Sequence, residues 1–297
     1  MNRALTLVVV VLLLSACASN KAKKPSSSVP VPSATKTQAR AETDLPQAQR
    51  YRDTHDGGPA APATDIARLV EPVPKHEPRA RYGNKSPYSV LGKTYAVMPD
   101  AHKYVERGIA SWYGNKFHGY MTSSLEPYDM YQFSAAHKTL PLPSYVRVTN
   151  LDNGKSVVVR VNDRGPFHEN RLIDLSYAAA VRIGVWPKGT GLVEVRVIEP
   201  GKSGAGDDLP PQAPAASNAA RIFLQLGAFA DKANAAQVVR QIERQGLGAV
   251  SIVTTRINDR EIHRVRLGPL QSVEAADALV ERIERLGLGT PRVAVDD

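Results

Sequence analysis

The chain has 297 residues, a formal net charge of +9 and a single cysteine, which excludes an intrachain disulfide framework. The length is sufficient for two small domains. The positive charge does not indicate a nucleic-acid partner, because residues 1–103 hold 15 Lys/Arg against 8 Asp/Glu while the regions that follow are close to neutral.

The N-terminus has the features of an export signal. Arg3 precedes an apolar run from Leu5 to Leu14, which is too short to remain in a bilayer as a helix of ~20 residues. The sequence Leu-Ser-Ala-Cys that ends at Cys17 resembles a bacterial lipobox, although a chance cysteine near an ordinary cleavage site is the alternative. We therefore predict that residues 1–16 are removed and that Cys17 is lipidated. Ala18 in the next position resembles the sorting signal for the periplasmic face of the outer membrane.

Composition divides the remaining chain. Residues 17–80 are rich in Pro, Ala, Ser, Thr and charged residues, and this composition predicts a disordered tether. A second stretch of Gly, Pro and Asp predicts a linker at 201–219. The boundaries leave two globular units, residues 81–200 and 220–297.

The first unit is predicted to be mainly β. Asn153-Gly154 indicates a two-residue hairpin, and one helix fits Ser176–Ile183, with Ser176 as its N-cap and Gly184 at its end. Several short strands with one helix favour a small barrel. The strand candidates are Ile109–Tyr113, Tyr145–Thr149, Ser156–Val161 and Leu192–Ile198.

The second unit contains an internal repeat. Apolar residues with the spacing i, i+3, i+4, i+7 start at Ala235 and again at Ala276, and Gly-Leu-Gly follows both. Each helix therefore has one apolar stripe, and the predicted order is βαββαβ, an α+β fold. The strand candidates are Ile222–Leu226, Val250–Thr255, Ile262–Leu267 and Arg292–Val295.

Alternation assigns the two faces of this sheet. One alternating set of residues on the first and third strands is entirely apolar and must face the helices: Ile222, Leu224, Leu226, Val265 and Leu267. The opposite face then combines a ring with hydrogen-bond donors, which suits sugars or bases, although an ordinary solvated face is the alternative. The residues of this open face are Phe223, Gln225, Arg264 and Arg266.

Four motifs in the first unit resemble the rare lipoprotein A family: GIASWYG from Gly108, AAHKTLP from Ala135, VTNL from Val148, and VNDRGPF from Val161 with IDLS from Ile173. The resemblance implies a double-psi β-barrel, a fold shared with expansins. The second unit, with LQLGAF and RVRLGP, resembles a SPOR domain, whose implied ligand is septal glycan stripped of stem peptides. The implied activity is lytic transglycosylation of peptidoglycan, without cofactor or metal. His118, His137 and His168 show no metal-ligand spacing.

This reaction requires one carboxylic acid that protonates the leaving oxygen and then acts as a base toward the C6 hydroxyl of the sugar. The acid must be protonated near neutral pH. The resemblance to the family implies catalytic roles for four residues: Glu126, Asp129, His137 and Asp163. Asp174 matches an Asp-Leu-Ser pattern of related barrels. We favour Asp163 as the acid, with Asp174 as the alternative. The candidate substrate contacts are Trp112 and Tyr113 as a stacking wall and Arg164, which we expect to form a bidentate contact with a carboxylate.

Each of these residues also has a structural interpretation. Asp163 would only cap a turn, His137 would be a satisfied core histidine and Trp112 would fill the barrel. The sequence also departs from the family at Leu125, where the family commonly has Gly, and a positive φ there would cost energy.

Two functions follow from these observations. The first is a lytic transglycosylase anchored in the outer membrane and concentrated at the division septum, with divisome proteins as candidate partners. The second is a non-catalytic, expansin-like protein that binds glycan without cutting it. Both functions stay open because the fold has catalytic and non-catalytic members.

Overall fold

The computed structural model of the chain describes residues 55–59, 66–201 and 221–296. Cys17, the predicted signal sequence and most of the predicted linker lie outside these ranges. The strands are β1 (Tyr88–Val90), β2 (Lys93–Tyr95), β3 (Val105–Tyr113), β4 (Ser134–His137), β5 (Ser144–Asn150), β6 (Ser156–Asp163), β7 (Arg171–Ser176), β8 (Gly191–Val197), β9 (Arg221–Phe229), β10 (Val250–Ile257), β11 (Arg260–Leu270) and β12 (Arg292–Asp296). The helices are α1 (Tyr177–Ile183), α2 (Lys232–Arg244) and α3 (Val273–Arg285), with a short 3-10 helix at Ile66–Arg68.

Six strands close into a barrel in the order β3-β7-β4-β6-β5-β8. The pairs β3–β7 and β4–β6 are parallel, and the other pairs of the barrel are antiparallel. Each parallel pair joins strands that are far apart in the chain, as parallel pairing requires. The predicted small barrel is confirmed, and its four predicted strands correspond to β3, β5, β6 and β8.

Helix α1 lies against the barrel with the caps that the sequence predicts. The Ser176 hydroxyl accepts a hydrogen bond from the amide of Ala179 at 3.3 Å. Gly184 adopts a left-handed conformation with φ 75° and ends the helix. The alanines of α1 and Ile183 are buried, and they pack beside Val161 and Leu175 in the barrel interior.

The predicted hairpin between β5 and β6 is present, but its loop is longer than the two residues expected. The strands are joined by residues 151–155, and the Gly154 amide donates to the Asn150 carbonyl at 2.9 Å. Gly154 has φ 71°, whereas Asn153 is absent from the positive-φ residues of the described chain. A two-residue type I′ turn would need a positive φ at both central positions. The position of the turn predicted from Asn-Gly is therefore correct, but the predicted turn type is wrong.

The chain contacts the barrel before residue 81, where composition placed the end of the tether. Ile66 is 6% exposed and belongs to the barrel's apolar core. The Glu71 carboxylate accepts from the Val158 amide at 2.8 Å, and Glu77 accepts from Arg160 at 2.8 Å. These carboxylates hold residues 66–80 to the barrel through polar contacts, which apolar periodicity does not reveal.

The second domain is a four-stranded antiparallel sheet in the order β10-β11-β9-β12, with α2 and α3 packed against it. The Asp231 carboxylate caps α2 at 2.7 Å from the Ala233 amide, and Ser272 caps α3. The βαββαβ order is confirmed, and of the residues predicted to face the helices Leu226 is partly buried while the other four are buried: Ile222, Leu224, Val265 and Leu267.

The two folded domains share contacts. Arg171 of β7 forms a bidentate ion pair with Asp277 of α3, at 3.2 and 2.6 Å. Ile109 and Leu192 of the barrel belong to the same buried apolar cluster as Ile283 of α3. Among the described residues, no helix has the length and apolarity needed to cross a membrane.

Candidate active site

Two aspartates lie on either side of the central strand β4. Ala136 pairs with Asp163 of β6 on one side and with Asp174 of β7 on the other. Side chains in register on neighbouring strands point to the same face of the sheet. Because β6 and β7 are two strand spacings apart, the Cα atoms of Asp163 and Asp174 are about 10 Å apart. Ser111 of β3 pairs with Asp174 and extends the row. The barrel therefore presents two acids on either side of one small residue.

The turn after Asp163 approaches Asp174. A Cβ built on Gly165 would lie 3.8 Å from Asp174 Oδ2 and 3.7 Å from the Ala136 Cβ. Gly165 has φ 143°, a conformation that glycine adopts at low cost. The Asn-Asp-Arg-Gly-Pro segment thus carries one acid and reaches the second.

Asp163 is held by three donors. Its Oδ1 accepts from the Ser123 amide at 2.8 Å, the Ser123 hydroxyl at 2.6 Å and the Arg164 amide at 2.7 Å. Burial raises the pKa of Asp163 above its usual value, while these hydrogen bonds stabilise the ionised form and oppose that rise.

Asp174 has fewer stabilising contacts. Its Oδ1 accepts a short hydrogen bond from the Ser111 hydroxyl. Burial raises the pKa of Asp174 to about 6, and the negative charge of Asp163 contributes to the rise. A pKa of about 6 leaves part of Asp174 protonated near neutral pH.

The loop that carries Ser123 has a strained residue. Leu125 has φ 62°, the left-handed conformation, at the position where the resemblance to the family implies a glycine. The loop is closed by backbone hydrogen bonds from Thr122 to the Glu126 carbonyl at 2.8 Å and from Leu125 to the Thr122 carbonyl at 2.9 Å. The predicted cost of a positive φ at this residue is thus present in the structure.

Glu126 is an ionised carboxylate in an ion-pair network. Its oxygens accept from Arg160 at 2.6 and 3.1 Å and from Asn162 at 2.9 Å. Burial favours a higher pKa, but the hydrogen bonds and charge of Arg160 outweigh it and lower the pKa of Glu126. Arg160 also binds Glu77, whose pKa is lowered to about 2, mainly by the Arg160 hydrogen bond. Glu126 is thus suited to electrostatic support and not to proton donation.

The described contacts of Asp129 are made within its own loop. Its carboxylate accepts from the Tyr131 amide at 3.0 Å and lies 3.7 Å from His118 Nδ1. The structure therefore does not join Asp129 to the Asp163–Asp174 row through a direct hydrogen bond, and its predicted catalytic role stays a prediction.

His137 is a buried histidine below the row. It is 2% exposed, and its Nδ1 accepts from the amides of Thr139 and Leu140 at 3.2 and 3.0 Å. Nε2 lies 3.0 Å from the Tyr104 hydroxyl. Burial lowers the pKa of His137 to about 3, so the ring is neutral near pH 7. These contacts match the alternative of a satisfied core histidine, which supports the loop without transferring a proton.

The predicted carboxylate contact of Arg164 is wrong. Its guanidinium donates to the backbone carbonyls of Gly83 at 2.7 Å, His137 at 3.0 Å and Leu140 at 2.6 Å, and to the Asn84 side chain at 3.2 Å. The side chain is buried, and it joins two segments, residues 83–84 and 137–140, to the turn that follows Asp163. The prediction failed because the carbonyls that compete for the guanidinium come from distant segments.

The two aromatic residues predicted to stack on sugar, Trp112 and Tyr113, lie in different environments. Tyr113 is 7% exposed and its ring stacks on Tyr128 at 4.1 Å, so its assignment as a sugar contact is wrong. Trp112 is half-buried and packs edge-on against Trp186 at 4.8 Å. Alternation along β3 points Ser111 and Trp112 to opposite faces, because successive side chains of a strand alternate. The sugar-contact role of Trp112 stays a prediction.

Sequence reasoning missed the residues that define the environment of the acids. Ser111 and Ser123 bind Asp174 and Asp163, and Arg160 joins Glu126 to Glu77. Ser111 stands inside the GIASWYG motif, so the motif itself was the available signal. Within the described residues, no group of three His, Cys, Asp or Glu side chains could hold a metal ion.

Comparison with known proteins accounts for both domains. Residues 105–197 match the family described as Lytic transglycolase, and residues 218–290 match the SPOR domain. A Vibrio cholerae protein named endolytic peptidoglycan transglycosylase RlpA is 42% identical, over 80% of this chain and 86% of the relative. The chain belongs to the rare lipoprotein A (RlpA) family.

Other RlpA relatives support this assignment. A Pseudomonas aeruginosa protein of the same name is 38% identical, over 83% of this chain and 86% of the relative. A Neisseria meningitidis protein of that name is 45% identical, over 64% of this chain and 75% of the relative. The crystal structure of the RlpA SPOR domain from Pseudomonas aeruginosa is 30% identical, covers 25% of this chain and 96% of that chain, and has a TM-score of 0.24. The predicted double-psi β-barrel followed by a SPOR domain is confirmed.

The SPOR sheet of this RlpA member places the predicted glycan contacts on one face. Gln225 pairs directly with Arg266, and Arg264 lies two residues away on β11. The Arg266 guanidinium lies 5.9 Å from the Phe223 ring centroid and is ion-paired with Asp296. The four side chains are partly exposed on the face opposite the helices, and their ligand stays a prediction.

Proposed function

We propose that this protein is a peptidoglycan lytic transglycosylase that cuts glycan strands and leaves 1,6-anhydro-N-acetylmuramic ends. The observation that carries the proposal is the pair of half-buried aspartates, Asp163 and Asp174, in register across Ala136. The names of the relatives and the match to the Lytic transglycolase family support it.

The reaction needs one group that first gives and then takes a proton. The acid protonates the glycosidic oxygen as the C1–O bond breaks, and the resulting carboxylate removes the proton of the C6 hydroxyl as O6 bonds to C1. No water is consumed, so no second carboxylate has to activate one. A negative charge fixed nearby would stabilise the positively charged sugar that forms in the transition state.

The structure gives a physical reason to assign the acid to Asp174 and the fixed negative charge to Asp163. Three donors stabilise ionised Asp163, whereas a single hydroxyl contacts Asp174, whose pKa is raised to about 6. Donors to a carboxylate favour its charged form, which separates the roles of two otherwise similar groups. This reverses the preference for Asp163 that the sequence motif alone suggested.

The test compares Asp174→Asn with Asp163→Asn on purified peptide-free glycan, with anhydro ends measured by mass spectrometry. Loss of the acid is expected to lower the rate ~10²–10⁴-fold in Asp174→Asn at every pH. In Asp163→Asn, loss of a negative charge lowers the pKa of Asp174, so the alkaline decline of kcat/KM is expected to move to lower pH.

The opposite pattern, with Asp163→Asn inactive throughout and Asp174→Asn active, would assign the acid to Asp163. Absence of anhydro ends from the parent protein, with glycan binding retained, would replace the enzyme by the non-catalytic, expansin-like function.

We further propose that the SPOR domain concentrates the protein on septal glycan that lacks stem peptides, and that a lipid on Cys17 anchors it to the periplasmic face of the outer membrane. The match of residues 218–290 to the SPOR domain supports the first statement. The lipobox-like sequence before Cys17 supports the second. Divisome proteins are the candidate partners at that location.

A further inference from the structure

Lys138 brings a cation close to the acidic row. It directly follows β4, whose Ala136 separates the two aspartates, and its charge acts on Asp174. The Lys138 ammonium donates to the carbonyl of Arg171 at 2.5 Å and to the carbonyl of His168 at 3.1 Å. Arg171 begins the strand that carries Asp174, so the ammonium lies beside that strand.

The ammonium has unused binding capacity. An ammonium group has three N–H donors, and the two carbonyls use two of them. Within residues 55–59, 66–201 and 221–296, no carboxylate is ion-paired with Lys138, although the charges of Asp174 and Glu106 act on it from a distance. Burial lowers its pKa to about 8, which leaves it mostly protonated at neutral pH.

Two neighbouring cations, in contrast, have counter-ions. Arg171 is bound in a bidentate pair to Asp277, and Lys93 is paired with Glu169. A half-buried cation without a counter-ion is costly for a folded protein, and an anionic ligand would offset the cost. Lys138 is therefore a half-buried cation beside the acidic row that is available to an anion from outside.

Peptide-free glycan offers such an anion. The lactyl group of N-acetylmuramic acid is an amide when a stem peptide is attached and a free carboxylate when the peptide has been removed. The loss of the peptide therefore places a negative charge on the lactyl group itself and removes a bulky substituent.

We propose that Lys138 binds the lactyl carboxylate of a muramic residue at the cleavage site and thereby selects glycan without stem peptides. The proposal rests on the transglycosylase function proposed above and names the side chain that recognises its substrate. An amide in place of the carboxylate removes the charge that the ammonium attracts, so the same contact would disfavour peptide-bearing strands.

The test uses two glycans that differ only in this group: peptide-free strands with lactyl carboxylates, and the same strands converted to lactamides. The full-length protein is compared with Lys138→Met, with Lys138→Arg, which keeps the charge, and with Lys155→Met, an exposed lysine in the β5–β6 loop. Lys138→Met is expected to lose ~10-fold or more in kcat/KM on the carboxylate glycan and little on the lactamide. Lys138→Arg is expected to keep part of the preference and Lys155→Met all of it.

Equal losses on both glycans would overturn the proposal, because they would show that Lys138 only holds the strand that begins at Arg171. Unchanged rates on both glycans would overturn it as well. Equilibrium binding of the two glycans is measured in parallel. If the parent makes no anhydro ends, the proposed reaction fails, while a carboxylate-specific loss of binding in Lys138→Met still supports the lysine's role and its absence rejects it.

Discussion

Replacement of Leu125 tests whether the loop that clamps Asp163 stores conformational strain. Leu125 has φ 62°, and a left-handed conformation costs a residue with a Cβ atom about 1–2 kcal/mol. The informative comparison is Leu125→Gly against Leu125→Ala, because both remove the same apolar contacts and only alanine keeps the Cβ. Glycine also lowers stability by about 0.5–1 kcal/mol through unfolded-chain entropy. The balance makes the glycine variant more stable than the alanine variant by about 0.5–1 kcal/mol.

Urea unfolding followed by tryptophan fluorescence measures this difference in the barrel alone. The chain has two tryptophans, Trp112 and Trp186, and both belong to the barrel domain. The matched control is Lys155, an exposed residue without a positive φ, where glycine is expected to be less stable than alanine. The sign of the Gly–Ala difference must therefore reverse between the two sites.

An alanine variant as stable as the glycine variant at position 125 would refute the strain argument. The activity measurement adds a second criterion. Ser123 binds Asp163 from the same loop, so relief of strain that preserves these contacts is expected to leave the rate of Leu125→Gly at or above that of the parent. A large loss of rate together with a gain in stability would indicate that the strained geometry itself serves the reaction.

The remaining predictions concern pH, glycan binding and location. The pKa of His137 is about 3 in the folded protein and 6.5 when unperturbed, so its contribution to stability is lost as the pH falls below 6.5, by about 2 kcal/mol near pH 5. His137→Gln should be less stable at neutral pH but lose less on acidification, and parallel urea midpoints for both proteins would contradict this. The double change Gln225→Ala with Arg266→Ala should weaken binding of the full chain to peptide-free glycan ~10-fold or more in a sedimentation assay, and unchanged binding would place the ligand elsewhere. Cys17→Ser should abolish fatty-acid labelling and outer-membrane recovery, whereas Ala18→Asp should keep the label and change the membrane fraction; a labelled Cys17→Ser protein would exclude the lipobox.

The sequence predicted those parts of the fold that depend on local patterns. Ser176 and Gly184 delimit α1 as expected, because caps are properties of a few consecutive residues. The repeat in the SPOR domain was visible because each helix needs its own apolar stripe. Strands β4 and β7 were not predicted. Strand β4 is Ser-Ala-Ala-His, four buried residues without a β-branched side chain, so propensity and alternation carry no signal there.

The same two strands determine the candidate site. Asp163 and Asp174 become neighbours only because β6 and β7 both pair with β4, one in parallel and one in antiparallel orientation. Local reasoning identified both acids from their motifs, but it could not place them on one face or weigh their environments. For the same reason it misjudged Arg164, whose guanidinium binds carbonyls of residues far away in sequence.

A shared motif does not assign a shared chemical role. Glu126 and Asp174 are both carboxylic acids of the family's motifs, yet their pKa values move in opposite directions. Arg160, held in place by Glu77 from outside the motifs, keeps Glu126 ionised, whereas burial beside a hydroxyl raises the pKa of Asp174. The residues before the barrel, which composition assigned to a tether, thus contribute to the electrostatics of the site. Glu77 also acts on Glu126 directly, because its negative charge raises the pKa of that carboxyl group and opposes the effect of Arg160.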